Sequence, residues 1–133
     1  MYLILDTSQQ GETILAIGDR RIRVSKVYRA RYHQAETLLA KVDALLKKHK
    51  TPLSKLEGII AVLGPGPFTA LRGSLIIANA LSFALDLPVA GLRRDEFIDL
   101  EDLLQKGRAR LKRRTTLVPF YGQEPNISQP KRK

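Results

Sequence analysis

Two short polar segments contain the residues whose chemistry could serve a ligand. The first is Asp6-Thr7-Ser8, which ends an apolar run at positions 2–5. A carboxylate beside two hydroxyls can face a nucleotide phosphate and its metal ion at such a strand end. The same three side chains can instead close an Asx or Ser/Thr turn unaided. Both interpretations stay open at the level of sequence.

The second segment is GPGPFTALRGS at 64–74, a Gly/Pro turn between a buried strand and a helix. Free amides and the dipole at a helix start attract anions. The segment lacks the Gly-Lys-Ser/Thr of a P-loop and the spacing of a dinucleotide fingerprint, so a tight structural turn is the alternative. The candidate nucleotide or anion-binding residues are Asp6, Thr7, Ser8, Gly64 and Gly66.

Other reactive chemistry is sparse. The chain has no cysteine, which excludes disulfides, a cysteine nucleophile and thiolate metal sites. Its two histidines, His33 and His49, stand sixteen residues apart without the spacing of a metal motif or an identifiable carboxylate partner. We therefore predict no catalytic residue and no metal site.

Positive charge is concentrated near the C-terminus. Residues 1–105 hold 14 Lys and Arg against 12 Asp and Glu, a net +2, whereas residues 106–133 hold nine basic residues against Glu124 alone, a net +8. Such a tail attracts nucleic acid or another acidic partner, although it can equally be a solvated tail that keeps the protein soluble. The candidate RNA contacts are Arg108, Arg110, Lys112, Arg113 and Arg114.

The pattern along the chain predicts one α/β domain. With 44% hydrophobic residues over 133 positions, the chain can bury a core. Alternation and short turns predict three strands at 2–5, 12–18 and 22–30. Helical periods and buried apolar runs then predict a helix at 33–50, a strand at 58–63, a helix at 67–85, a strand at 88–92 and a helix at 95–106. The order β-β-β-α-β-α-β-α indicates a mixed sheet of about five strands with helices packed on it. We predict a domain at 1–106 and a basic, mostly irregular tail at 107–133, with a short strand at TTLVPFY.

The helix at 67–85 is unusually apolar. Twelve of the 18 residues from Phe68 to Leu85 are apolar and point nearly all round, so this helix must be covered on more than one side. Arg72, Ser74, Asn79 and Ser82 interrupt it, which favours burial in protein over a membrane span. The N-terminus reads as a strand and not as a signal peptide, and we expect a cytoplasmic protein.

Three segments carry a resemblance to a known family. ILDTS, HQAETLLAKVDALLKK and GIIAVLGPGPFTALRGSLIIANALSFALDLPVAGL are similar to the TsaB family, also called YeaZ, over residues 2–105. The family usually reads GPGSFTGLRIG, whereas this chain has Pro67, Ala70, Gly73 and Ser74 at the differing positions. The resemblance implies an actin-like (ASKHA, ribonuclease H-like) half-domain, shortened by loss of most of the second half.

The resemblance also implies a function. TsaB proteins are non-catalytic partners of the catalytic TsaD subunit and the ATPase TsaE in tRNA threonylcarbamoyladenosine formation, and ATP or ADP would be expected only at the interface with the catalytic partner. Two helices form the docking surface in this family, which here implies a partner interface, or a homodimer interface, that includes Leu38, Leu39, Val42, Leu45, Leu46, Phe68, Leu71, Arg72, Leu75, Ala78 and Ser82. The alternatives are a degenerate nucleotide-binding or peptidase-like enzyme and a free-standing basic RNA-binding module.

Overall fold

A single five-stranded mixed sheet forms the centre of the molecule. The computed structural model describes residues 1–29 and 34–122. The strands lie in the order β3-β2-β1-β4-β5: the first three form an antiparallel meander, and β1, β4 and β5 run parallel to one another. The strands are β1 (Tyr2–Asp6), β2 (Glu12–Gly18), β3 (Ile22–Arg29), β4 (Gly58–Gly64) and β5 (Val89–Arg93). The predicted element order and sheet type are confirmed.

Helices cover both faces of this sheet because its central strands are apolar on both sides. On one face, Leu3, Leu5 and Ile59 pack beneath α1 (Gln34–Lys48) and α2 (Phe68–Leu85). On the other face, Ile4 and Ile60 pack beneath α3 (Leu100–Ala109). The side-chain alternation of the strands assigns each residue to its face.

The ends of the helices differ in part from the sequence prediction. The helix predicted at 95–106 begins later, because residues 94–96 form a short 3₁₀ helix and Asp99 caps α3 by accepting a hydrogen bond from the Asp102 amide. It also ends later, at Ala109. The predicted helix at 33–50 ends at Lys48, and its expected first residue, His33, lies outside the described residues.

The chain beyond α3 wraps around the β5 edge of the sheet. We call residues 112–122 the strap. Lys112 pairs with Val89 in an isolated antiparallel bridge, and the partly buried Leu117 then packs against the core on the side of α2. The expected strand at TTLVPFY does not form, because side-chain and single backbone bonds hold this segment in place of a ladder. The basic ending Lys131, Arg132 and Lys133 lies outside the described residues, and the division at 106/107 stays a prediction.

Among the described residues, α2 is the one helix that is long and apolar enough to cross a membrane by length and composition. Its mean hydropathy is 1.5, and 33% of it is buried inside the domain. One stripe of α2 packs with α1 against the sheet, and Asn79 on α2 bonds to the strap.

Candidate functional site

The candidate anion-binding residues all meet at one corner, where β1 ends against the start of α2. The Asp6 Oδ1 accepts hydrogen bonds from the amide and the hydroxyl of Ser8. The Thr7 hydroxyl donates to the Ala70 carbonyl at 3.0 Å and lies 2.8 Å from the Ser74 Oγ. Asp6, Thr7 and Ser8 are all buried. These polar groups are therefore used inside the chain, tying the end of β1 to the first turns of α2.

Two glycines allow the Gly/Pro turn to approach this corner closely. A Cβ atom on Gly66 would lie 2.4 Å from the Ser8 carbonyl oxygen, and one on Gly64 would lie 2.2 Å from the Phe120 carbonyl oxygen. Gly64 also has φ +124°, a conformation that favours glycine. The turn is thus packed against β1 on one side and against the strap on the other.

Arg94 completes the corner, and the sequence analysis did not select it. Its Nη1 donates to the Ser8 Oγ at 3.0 Å. With the Gln9 amide turned so that its oxygen faces the guanidinium, the Gln9 Oε1 accepts from both terminal nitrogens of Arg94 at 2.8 and 2.9 Å. The carboxyl ends of parallel strands meet at one edge of a sheet, so residues after β1, β4 and β5 must come together. That rule was the available signal for Arg94. The contacts favour the structural-turn interpretation of the corner, and anion binding there stays a prediction.

Most of the residues selected for a partner interface are buried in the protein's own core. All eight are less than a tenth exposed, so they offer a partner little surface in the described fold: Leu38, Val42, Leu45, Leu46, Leu71, Leu75, Ala78 and Ser82. The physical reason is the helical period, which points one stripe of each helix at the sheet. These eight are therefore core residues and not the main surface contacts, although Val42 and Leu46 also line the open groove beside Leu39.

A different stripe of α2 carries apolar side chains on the surface. We call Phe68, Arg72, Ile76, Ala80 and Phe83 the outer face of α2. Phe68, Ile76 and Phe83 are 55%, 63% and 90% exposed. Of these residues, the sequence analysis selected Phe68 and Arg72 and missed the other three. Because α2 is apolar all round, its sequence contains no signal for which stripe faces outward.

Apolar surface continues on both sides of this outer face. On the α1 side, Leu39 is 52% exposed and lines an open groove of about 650 Å³ together with Leu46, Leu53 and Leu81. On the strap side, the Tyr121 ring stacks on Phe68 with centroids 4.9 Å apart. The strap itself is fastened by Asn79, whose side chain both donates to the Leu117 carbonyl and accepts from the Leu117 amide.

The five candidate RNA contacts have different surroundings. Arg108 packs its guanidinium over the Tyr2 ring and is partly buried, Arg110 pairs with Glu96 at 2.9 Å, and Arg113 donates to the Asp86 carbonyl. Within the described residues, Lys112 and Arg114 form no ion pair. The freely available charge is therefore smaller than the composition indicates.

One carboxylate of this region has a shifted acidity. A hydrogen bond from the Arg93 amide, and then the Arg110 guanidinium, hold the pKa of Glu96 below its ordinary value. Glu96 thereby ties β5 to the residues after α3. In the part of the chain that the structure describes, no three His, Asp or Glu side chains come together as metal ligands.

Comparison with known proteins gives consistent similarities. Residues 26–108, more than half of the chain, match the family model TsaD, tRNA N6-adenosine threonylcarbamoyltransferase. A threonylcarbamoyltransferase of that name from Geotalea daltonii is 36% identical over 61 residues, which are 46% of this chain and 18% of the relative. The tRNA threonylcarbamoyladenosine biosynthesis protein TsaB of Buchnera aphidicola is 28% identical over 118 residues, which are 89% of this chain and 53% of the relative.

A solved structure, YeaZ from Pseudomonas aeruginosa, superposes with a TM-score of 0.63 and 31% identity over 69% of this chain and 43% of that one. The predicted actin-like half-domain and the TsaB-like assignment are confirmed by these similarities. The chain spans about half or less of the length of these relatives.

Proposed function

Because the chain belongs to the TsaD family, within which it is TsaB-like, we propose that it is a non-catalytic subunit in tRNA threonylcarbamoyladenosine biosynthesis. It binds a TsaD-type catalytic subunit through α1 and the Phe68–Ile76 part of the outer face of α2. The proposal makes this chain a binding partner that positions and stabilises the catalytic one.

The observation that carries the proposal is the exposed apolar stripe of α2. Ile76 is 63% exposed and Phe68 is 55% exposed, on a helix whose opposite stripe is fully packed. Protein interfaces are enriched in aromatic residues and Arg at their cores. The N-terminal part of the outer face of α2 supplies Phe68, Ile76 and Arg72 on a rigid element, and the Leu39 groove extends the same surface.

A binding experiment with matched variants tests the docking. We expect the purified chain to form a complex with a TsaD-type subunit in calorimetry at micromolar concentration. Ile76→Glu should abolish the complex, because it puts a charge in the middle of the apolar stripe. Ile98→Glu is the matched control: Ile98 is 89% exposed but lies on the α3 side of the sheet, so this variant should bind normally. The absence of a complex, with both proteins folded, would contradict the proposal.

The non-catalytic role has its own test. Asp6, Thr7 and Ser8 are engaged in internal hydrogen bonds at the corner, which supports a structural role for them. We expect calorimetry of the isolated chain to detect no ATP binding. ATP binding that disappears in Asp6→Ala would favour a degenerate nucleotide-dependent enzyme instead.

Self-association through the same surface is the alternative assembly. Two copies could cover each other's outer face, since such faces are self-complementary in symmetric dimers. Light scattering of the isolated chain separates the two assemblies. A dimer that persists unchanged when the TsaD-type subunit is added would count against the heterodimer.

A further inference from the structure

A second groove lies between the C-terminal half of α2 and the strap. It is partly open, has a volume of about 550 Å³, and its lining includes Phe83, Asp86, Arg114, Thr115 and Thr116. We propose that this groove binds an unpaired nucleotide of single-stranded RNA, with the base stacked on Phe83 and the phosphate held by Arg114. The choice of RNA rests on the proposed function, whereas the site itself rests on the groove.

An exposed aromatic ring borders this groove. Phe83 is the most exposed of the large hydrophobic residues that the structure describes, and its ring borders the groove without a ring partner among the described residues. Bases of unpaired RNA stack on such rings, and this stacking tolerates any base because every base has a π face. A volume of about 550 Å³ lies within the range of small-ligand sites, roughly 300–1,000 Å³.

The groove also contains a positive charge. Arg114 lines the groove and forms no ion pair within the described residues, so its guanidinium is available for a phosphate. Asp86, the acidic residue in the lining, faces a neighbouring cation, since Arg113 lies 3.5 Å from its Oδ1. Thr115 and Thr116 contribute hydroxyls that can accept from or donate to a ribose.

The path for an RNA backbone continues past the strap. Thr115 also lines an adjoining groove of about 420 Å³ on the other side of the strap, together with Arg110 and Lys112. Lys112 is exposed and forms no ion pair among the described residues. An RNA strand that leaves the Phe83 groove can therefore meet a second cation, Lys112, which lies two residues before Arg114 in the sequence. In this proposal the basic segment contributes two specific phosphate contacts, Arg114 and Lys112, and not only a general electrostatic attraction.

Fluorescence anisotropy with the full chain tests this site. The probe is a labelled 12-nucleotide RNA without secondary structure, titrated between 50 and 300 mM salt. We expect Phe83→Ala to weaken binding roughly ten-fold, which is the order expected for one lost stacked base. Arg114→Gln should lower the slope of log K against log salt by about 0.7, the change expected for one lost phosphate contact on a single strand.

Two matched variants and one matched probe act as controls. Ile98→Ala removes an exposed apolar side chain on the α3 side of the sheet, and Arg21→Gln removes an exposed charge in the β2–β3 turn, so both should leave RNA affinity unchanged. A duplex of the same length should bind more weakly than the single strand, because its bases cannot stack on the ring.

Three outcomes would overturn the proposal. Equal losses in Arg114→Gln and Arg21→Gln would mean diffuse charge attraction. Unchanged affinity in Phe83→Ala would mean that no base stacks there. If Phe83→Ala keeps RNA binding but loses the TsaD-type subunit, Phe83 belongs to the docking surface, and the proposed function survives while the RNA site does not. Loss of the subunit in Ile76→Glu with RNA binding intact would keep both proposals standing.

Discussion

The two helical layers that flank the sheet differ in the polarity of their solvent-facing side chains. α3 on one side is amphipathic: Leu103 and Leu104 face the sheet, while its polar side chains bond to neighbours. Glu101 accepts from the Ile22 amide, and Lys106 pairs with Asp102 at 3.0 Å. α2 on the other side has the same kind of packed stripe, but its outer face is apolar. The α3 layer exposes polar side chains to solvent, whereas the α2 layer exposes an apolar stripe.

The comparison teaches that apolar content does not distinguish a core position from a surface position. Leu75 and Ile76 are adjacent on α2 and chemically alike, yet Leu75 is 2% exposed and Ile76 is 63% exposed. Leaving apolar area in water forgoes about 25 cal/mol per Å². An exposed stripe of this kind is therefore typical of an interaction site.

The largest expected effect is the difference in stability between the same substitution at Leu75 and at Ile76. Leu75→Glu buries an unpaired charge and should cost more than about 4 kcal/mol of unfolding free energy, which leaves the domain unfolded or nearly so. Ile76→Glu should change it by no more than about 0.5 kcal/mol, because the side chain stays in water. Urea unfolding followed by circular dichroism measures both, and similar losses in the two variants would mean that α2 is oriented differently.

The polar contact beneath α2 should give the next largest effect. Thr7→Val keeps the shape of the side chain but removes its hydrogen bonds to Ala70 and Ser74, which should cost about 1–3 kcal/mol of unfolding free energy. Thr69→Val is the control, since Thr69 is exposed at the start of the same helix and should tolerate the change. Equal stability of the two variants would show that the β1–α2 corner does not contribute to the fold.

The strap gives a smaller effect. Asn79→Ala removes both bonds to Leu117 and should cost about 1–2 kcal/mol. Asn79→Asp keeps the acceptor for the Leu117 amide but brings a carboxylate oxygen against the Leu117 carbonyl, so it should lose at least as much stability. Amide hydrogen exchange at Leu117 should accelerate in both variants. Unchanged exchange in Asn79→Ala would mean that the strap is held by its other contacts.

The α3 layer should give the smallest effect, and it depends on pH. The pKa of Glu96 lies below its ordinary value, so the stability that its ionised form contributes is complete above that ordinary value and is lost as the pH falls through the lower folded-state pKa. Glu96→Gln should therefore reduce the loss of unfolding free energy at acidic pH, by at most about 1 kcal/mol for a partly exposed pair. An identical acid-side decline in both proteins would exclude this pair as a contributor.

The chain's pattern predicted the fold well, and the site only in part. Alternation in β1–β3, the apolar run of β4 and the helical periods were enough for element order and sheet type. The corner was also predictable, because the parallel strands β1 and β4 end side by side: Asp6, Thr7, Ser8, Gly64 and Gly66 all lie at or just after those two strand ends. The sequence pattern did not reveal how distant segments come together: Arg94 bonds to Ser8, Tyr121 stacks on Phe68, and Phe83 lines one groove with Arg114.

The sequence by itself thus determined which elements form and in what order, because periodicity, glycines and prolines act over a few neighbouring residues. Only the tertiary structure decided which stripe of α2 faces water and where the strap lies. A helix that is apolar all round has no preferred side of its own. Its orientation comes from close packing against Leu3, Leu5 and Ile59 and from the bonds that Thr7 and Asn79 make across more than 35 residues of chain.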